Sequence, residues 1–281
     1  MTAHYAVFGN PIAHSLSPQI HTFFAAQTKQ DLDYGAKLVE PGSFHTVIQE
    51  FFDPQGGNGS GCNITVPCKL DAYNFASELS SYAEAAGAVN TLKRLEDGRV
   101  LGDNTDGRGL VLDLQRLGLP LAGRRVLIVG AGGAARGIIL PLLEQRAEEL
   151  TIVNRTAQKA FELCQLFERR LPEGFAGTLN ATTLEGVKGA YDLIINATSL
   201  SLKGQGLPLQ DEVIAQSGAV YDLMYKLNED TATQAQARAL GVKKAYGGFG
   251  MLLMQAALSF ELWRGVMPDV DAALEHFSCR S

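Results

Sequence analysis

The chain has 281 residues, 46% hydrophobic and 19% charged, with a formal net charge of −6. That describes a globular protein with a sizeable core in one large or two ordinary domains, and it argues against nucleic acid or an anionic membrane as partner. The four cysteines, Cys62, Cys68, Cys164 and Cys279, form no CxxC pair and no Cys/His cluster, which argues against zinc, other bound metal or a disulfide framework and for a reducing compartment. Met1 to Tyr5 lead into an apolar segment without a basic leader, and Gly or charge interrupts every apolar stretch, so the expected location is the cytoplasm. No coiled-coil seam marks an assembly, and a monomer or homodimer is expected.

In chain order, Tyr5-Ala6-Val7-Phe8 is a short apolar run closed by Gly9-Asn10-Pro11, the pattern of a strand ending in a turn. Ser17-Pro18 predicts a helix start with Ser17 as N-cap, and Ile20, Phe23 and Phe24 as its apolar face. Cys62-Asn63-Ile64-Thr65-Val66 reads as a strand stopped by Pro67. Asp97-Gly98 marks a hairpin turn between Thr91-Leu92 and Val100-Leu101.

From Gly123 the texture changes. Arg125-Val126-Leu127-Ile128-Val129 is a continuous apolar, β-rich run, as expected of a strand buried on both faces of a parallel sheet. Runs at 150–153, 192–195 and 220–223 repeat it at crossover spacing, with room for helices between them, as at 156–167. The predicted fold class is α/β, with a Rossmann-type doubly wound domain. Beyond roughly Arg238 the chain is expected to leave that domain. Gly247-Gly248-Phe249-Gly250 then leads into an apolar helix over 251–263, with Gln255 the one polar side chain of its first turns.

Gly130-Ala131-Gly132-Gly133-Ala134-Ala135 follows the 125–129 strand and matches G-x-G-x-x-A, a dinucleotide fingerprint. Gly130 permits the tight turn, Gly132 lets backbone approach a pyrophosphate, and the helix N-terminus behind them offers free N–H groups. At the end of the next strand an NAD site places an acid for the ribose hydroxyl. This chain has Asn154-Arg155-Thr156. Arg155 can pair with a 2′-phosphate, and Asn154 and Thr156 can donate to its oxygens, so NADP is the expected cofactor.

Outside this domain Ser15 and Ser17 flank Leu16, Asn63 and Thr65 alternate before Pro67 and Lys69, Asn90 ends the run Gly87-Ala88-Val89, and Asp103-Asn104-Thr105-Asp106-Gly107 precedes the dinucleotide fingerprint. Singly these read as caps, turns and a solvated Lys. Together, His14-Ser15-Leu16-Ser17-Pro18, Asn63-Ile64-Thr65-Val66-Pro67-Cys68-Lys69, Gly87-Ala88-Val89-Asn90-Thr91 and Gly102-Asp103-Asn104-Thr105-Asp106-Gly107 resemble the motifs of shikimate dehydrogenases. So do Gly130-Ala131-Gly132-Gly133-Ala134, Asn154-Arg155-Thr156, Asn196-Ala197-Thr198-Ser199, Tyr221-Asp222-Leu223-Met224-Tyr225 and Gly248-Phe249-Gly250-Met251-Leu252.

That resemblance implies NADPH-dependent reduction of 3-dehydroshikimate to shikimate, in the route to chorismate and the aromatic amino acids. It implies Lys69 and Asp106 as the catalytic pair and Ser15 and Ser17 on the substrate carboxylate. Asn63, Thr65, Asn90 and Gln255 would orient ring hydroxyls, with Tyr225 near substrate and nicotinamide. Gly130, Ala131, Gly132, Gly133, Ala134, Asn154, Arg155, Thr156, Ala197, Thr198, Ser199, Gly248 and Met251 would line the cofactor. The implied substrate domain is 1–102 with 237–281, and the implied NADP-binding domain 103–236. Departures from the family pattern are Cys68 and Leu70 around Lys69, Gly247 for an acid, Phe249 for Leu, Leu200-Ser201-Leu202 without a Gly, and the 226–234 segment. Loss of the acid at Leu70 predicts a more apolar neighbourhood for Lys69. The alternatives are a paralogue acting on quinate or a related ring carboxylate, and a protein that binds NADP without catalysis.

Overall fold

Alternation along the first strand sets up two apolar layers. In the computed structural model, which describes residues 2–278, β1 (Ala3–Gly9) turns Ala6 and Phe8 into one buried cluster, and Tyr5 and Val7 into another. Two compact units emerge, one of residues 2–109 with 253–278 and the other Leu110–Leu252. These divisions place 103–109 with the first unit and 237–252 with the second.

The first unit continues with α1 (Ser17–Thr28), β2 (Leu32–Leu38), α2 (Phe44–Phe52), β3 (Gly59–Ile64), α3 (Lys69–Phe75), β4 (Glu78–Leu79), α4 (Ser81–Ala86), β5 (Thr91–Arg94) and β6 (Val100–Asp103). Its six-stranded sheet has the order β2-β1-β3-β5-β6-β4. β2, β1 and β3 run parallel, while β5 turns antiparallel to β3 and to β6. The β5–β6 hairpin has Gly98 at φ +86, the left-handed conformation that its turn demands. α5 (Asp106–Arg116) follows the sheet.

Ser17 does not cap α1. The Ile20 N–H bonds to the Leu16 carbonyl, so Leu16 is the N-cap and Ser17 the first helical residue. β3 ends at Ile64, which puts Thr65 and Val66 beyond the strand. Pro67 has no N–H to continue a ladder, and the Thr65 carbonyl accepts from Cys68 instead.

On the α1 side of the sheet His21 is fully buried, its ring stacked on Tyr34 at 4.3 Å and near Phe24, Phe260 and Trp263. Burial pushes its pKa down to about 3, so the folded protein holds the ring neutral. An unfolded chain protonates it near pH 6.5, about its ordinary value. His21 therefore withdraws stability as the pH falls from about 6.5 towards 3, at about 1.4 kcal/mol per pH unit. Urea unfolding at pH 7 and pH 5 tests this: His21→Phe should show a shallower loss than the unaltered protein, and equal slopes would contradict it.

The second unit holds β7 (Arg125–Val129), α6 (Gly133–Glu144), β8 (Glu149–Val153), α7 (Ala157–Glu168), β9 (Thr178–Thr182), β10 (Leu193–Asn196), α8 (Asp211–Ala215), β11 (Val220–Asp222), α9 (Ala232–Ala239) and β12 (Ala245–Gly247). All six strands are parallel, in the order β12-β11-β10-β7-β8-β9. This is the doubly wound order, with its switch point between β7 and β10. The chain does not leave this unit at Arg238, because β12 pairs with β11.

The apolar helix is α10 (Phe249–Arg264), two residues longer at its start than predicted; its residues from Leu253 belong to the first unit, as does α11 (Val270–Ser278). Trp263 stacks on Tyr5 at 4.7 Å and donates its indole N–H to the Leu92 carbonyl. Among the described residues no helix is long and apolar enough to cross a membrane.

Candidate active site

In the first unit the loop ends of β3, β5 and β6 converge on α3, α5 and α10. Lys69 opens α3, and its Nζ lies 2.5 Å from Oδ2 of Asp106, the first residue of α5. The pair is partly sheltered, at 30% and 16% side-chain exposure, so it is open enough to meet a ligand.

Asn90 fixes the other carboxylate oxygen. The Thr105 backbone N–H donates to Asn90 Oδ1 at 2.9 Å, and a backbone N–H can only donate. The Asn90 amide nitrogen must therefore face the other way, where it donates to Asp106 Oδ1 at 2.9 Å, to Thr105 Oγ1 at 2.9 Å and to Gln255 Oε1 at 3.2 Å. Asp106 thus receives one donor on each oxygen, Asn90 on Oδ1 and Lys69 on Oδ2. Its own N–H is taken by Asn104 Oδ1.

Gln255 approaches because residue 109 is glycine: a Cβ there would lie 2.7 Å from the Gln255 backbone nitrogen. The loop before α5 is anchored by Asp103, which accepts from Ser80, Arg108 and the Asn104 N–H.

Ser15 and Ser17 are half-buried at the start of α1. Ser15 Oγ accepts the Ser17 N–H at 3.3 Å, leaving the Ser15 hydroxyl proton free to donate outward. Thr65, beyond β3, packs its methyl group against Gly9. Asn63 is 6% exposed and spends both amide ends inside the protein. Its Oδ1 accepts from Tyr34, and its Nδ2 bonds to the Asn90 carbonyl, Thr91 and Ser259. Asn63 thereby ties β3 to the Asn90 carbonyl, Thr91 and Ser259.

Tyr34 and Ser259, which sequence reasoning did not single out, both hydrogen-bond to the Asn63 side chain. Ser259 lies one helical turn after Gln255, the i, i+4 spacing that puts two side chains on one face. Thr91 and Thr105 both contact it, at 2.7 and 3.3 Å. Leu70 does not make the Lys69 neighbourhood apolar: it is 60% exposed, and Asp71 supplies an acid to the first turn of α3. Burial and the Asp71 charge push the Cys68 thiol up, which disfavours a reactive thiolate beside Lys69.

In the second unit Gly130 adopts φ +122 where the chain leaves β7, and a Cβ there would come within 3.0 Å of the Ala197 backbone. Protein packing explains that glycine. It does not explain Gly132 and Gly133, where a Cβ would meet nothing within 4 Å and φ is not positive. Gly132 is the N-cap of α6 without any side-chain cap, and 132–134 are exposed. Open space in front of free N–H groups at a helix N-terminus fits a pyrophosphate.

At the end of β8 the Asn154 amide donates to the Thr156 carbonyl, while Thr156 caps α7 without using its hydroxyl. Arg155 is exposed, and among the described residues it has no ion-pair partner. A lone cation at a helix N-terminus opposes the macrodipole, and an anionic phosphate there removes the conflict. These residues fit NADP.

Ala197 is buried at the end of β10, Thr198 spends its hydroxyl on Asn196 Oδ1 at 2.7 Å, and Ser199 is exposed. Gly248 donates its N–H to the Met224 carbonyl, and Met251 is half-buried. Tyr225 is half-buried, with its phenol pushed up by burial, and lies beside Phe249 at 5.7 Å. Both line a cavity of about 410 Å³ with Gln234 and Gly247.

Three family models match in chain order: the shikimate dehydrogenase substrate binding domain over 7–92, shikimate / quinate 5-dehydrogenase over 113–203, and the shikimate 5′-dehydrogenase C-terminal domain over 248–276. A shikimate dehydrogenase (NADP(+)) from Saccharophagus degradans is 51% identical over 95% of both chains. One of the same name from Actinobacillus succinogenes is 48% identical over 97% of this chain and 98% of its own. Among solved structures, an Ael1 enzyme from Pseudomonas putida superposes with a TM-score of 0.90 at 39% identity, covering 99% of this chain and 98% of that one. Shikimate 5-dehydrogenase from Thermus thermophilus, in complex with NADP(H) and shikimate, gives 0.85 at 33% identity and 99% coverage of both. With relatives of this identity along almost its whole length, and a Lys–Asp pair and a phosphate-ready turn where its motifs put them, the chain belongs to the shikimate dehydrogenase family.

Proposed function

We propose that this protein interconverts 3-dehydroshikimate and shikimate with NADP, in the route to chorismate and the aromatic amino acids. The observation that carries the reading is the Lys69–Asp106 pair at 2.5 Å, buttressed by Asn90 and Gln255, in a chain of this family. NADPH, when bound, supplies hydride to the ring carbonyl carbon. The carbonyl oxygen then gains negative charge, and the Lys69 ammonium stabilises it from hydrogen-bonding distance. Asp106 aims that ammonium, and the pair moves the proton to the oxygen, or takes it from the hydroxyl in reverse. Ser15 and Ser17 hold the ring carboxylate, Thr65, Asn90 and Gln255 orient ring hydroxyls, and Tyr225 serves near substrate and nicotinamide.

On the cofactor, the 130–134 turn holds the pyrophosphate and Asn154, Arg155 and Thr156 the 2′-phosphate. Ala197, Thr198, Ser199, Gly248 and Met251 line the nicotinamide end. The setting is the cytoplasm, where the buried free thiols of Cys62, Cys68 and Cys164 stay reduced. The test is NADPH formation from shikimate and from quinate, each with NADP⁺ and NAD⁺. Turnover of shikimate with NADP⁺ should exceed the other three combinations, and a higher kcat/KM for quinate would reassign the substrate.

A further inference from the structure

In the second unit the ends of β10 and β11 are joined by a closed ring of buried polar side chains. Asn196, Asp222 and Thr233 are fully buried, and Ser201, in the short helical turn Leu200–Lys203, is 5% exposed. Among the described residues no cation pairs with Asp222, so its carboxylate depends on hydrogen-bond donors.

Every proton in the ring has a place. The Thr198 backbone N–H donates to Asn196 Oδ1 at 3.0 Å, so the other end of that amide is its nitrogen. The two hydrogens there have Thr233 Oγ1 at 2.8 Å and Asp222 Oδ1 at 3.2 Å as nearest acceptors, with Ser201 Oγ further off at 3.4 Å. Thr233, having accepted, donates to Ser201 Oγ at 2.8 Å, and Ser201 donates to Asp222 Oδ2 at 2.5 Å. The ring therefore closes on a carboxylate that receives at both oxygens, and the Met224 N–H adds a third donor at 3.0 Å.

Two segments hang from this ring. Asn196 Oδ1 also accepts the Thr198 hydroxyl at 2.7 Å, which fixes the 197–199 segment. Asp222 fixes Met224, the residue before Tyr225. Ser201 lies in the stretch where this chain lacks the family's Gly, so the hydroxyl that completes the ring belongs to this chain's own sequence. Without it Asp222 Oδ2 loses this donor and the Thr233 proton loses this acceptor.

We propose that the Asn196–Thr233–Ser201–Asp222 ring sets the nicotinamide end of the cofactor site, with Ser201 and Asp222 as positioning residues that act through Thr198 and Met224. The inference rests on the reading that the 197–199 segment lines the nicotinamide.

The experiment measures Ser201→Ala and Asp222→Asn for shikimate turnover and for binding of NADP⁺ and of adenosine 2′,5′-bisphosphate, which keeps the 2′-phosphate and lacks the nicotinamide. Ser201→Ala should lower kcat about 10-fold and weaken NADP⁺ binding about 3-fold, with the bisphosphate bound as before. Asp222→Asn sets a donor against the donors of the ring and should cost more, and adding Ser201→Ala to it should cost little further. Unchanged kcat and NADP⁺ binding in Ser201→Ala, or equal weakening of the two nucleotides, would make the ring a brace of the fold only and overturn the proposal, as would fully additive losses in the double variant. Ser199→Trp tests the underlying reading, because Ser199 is exposed and outside the ring. It should obstruct NADP⁺ and spare the bisphosphate. If it spares both, the segment does not line the nicotinamide, and the inference falls with that reading.

Discussion

Lys69→Ala should lower kcat about 1,000-fold, within the range by which a positioned acid–base group accelerates a reaction. The reason is geometric. Asp106 meets Lys69 through Oδ2 and Asn90 through Oδ1, so without Lys69 no other cation described near Asp106 takes the Oδ2 position. Arg108, the nearest cation on the same helix, is committed to Asp103. The second unit is untouched by the change, so NADPH binding measured by quenching of protein fluorescence should persist. A kcat within tenfold of the unaltered protein would remove Lys69 from the chemistry.

The second large effect concerns the cofactor. Arg155→Ala should lower kcat/KM for NADP⁺ about 30-fold, the scale of losing charge-assisted bonds to a phosphate, while leaving kcat/KM for NAD⁺ within about twofold. Among the described residues Arg155 has no ion pair to lose, and it is exposed, so the fold gives no reason for the two cofactors to suffer together. Steady-state kinetics with both cofactors decides it. Equal losses would mean that Arg155 shapes the loop and does not read the 2′-phosphate.

Much of the scaffold was legible because its signals are local. The 125–129 run became β7 with the same ends, since an apolar strand covered on both faces leaves little room for error. The Asp97-Gly98 turn likewise sits where predicted, between β5 and β6. The misreadings come from short or shared features. β12 has only three residues, one of them a glycine, and shows no apolar run, so the second unit extends further than its periodicity suggests.

Within the site, Lys69, Asp106 and Asn90 were legible as motif members. The bonding of Asn63 and Tyr34 was not, because it depends on partners remote in the chain. Asn63 bonds to Ser259 across 196 residues and to Tyr34 across 29, and no spacing rule reveals which end of an amide faces inward. The donor-only and acceptor-only backbone groups that decide the question exist only in the fold.

The division of the first unit between the two ends of the chain orders events during synthesis. Its sheet is encoded entirely within residues 3–103, so strand pairing can begin early. Gln255, Ser259 and Trp263 emerge only after the whole second unit has left the ribosome. Until then Tyr5 lacks its stacking partner, the Leu92 carbonyl lacks the indole N–H, and Asn90 lacks Gln255. The nascent protein therefore has a finished cofactor unit before it has a finished catalytic one, since domains fold as they appear. A nascent chain exposed only as far as residue 252 would be fit to hold a dinucleotide and unable to use it.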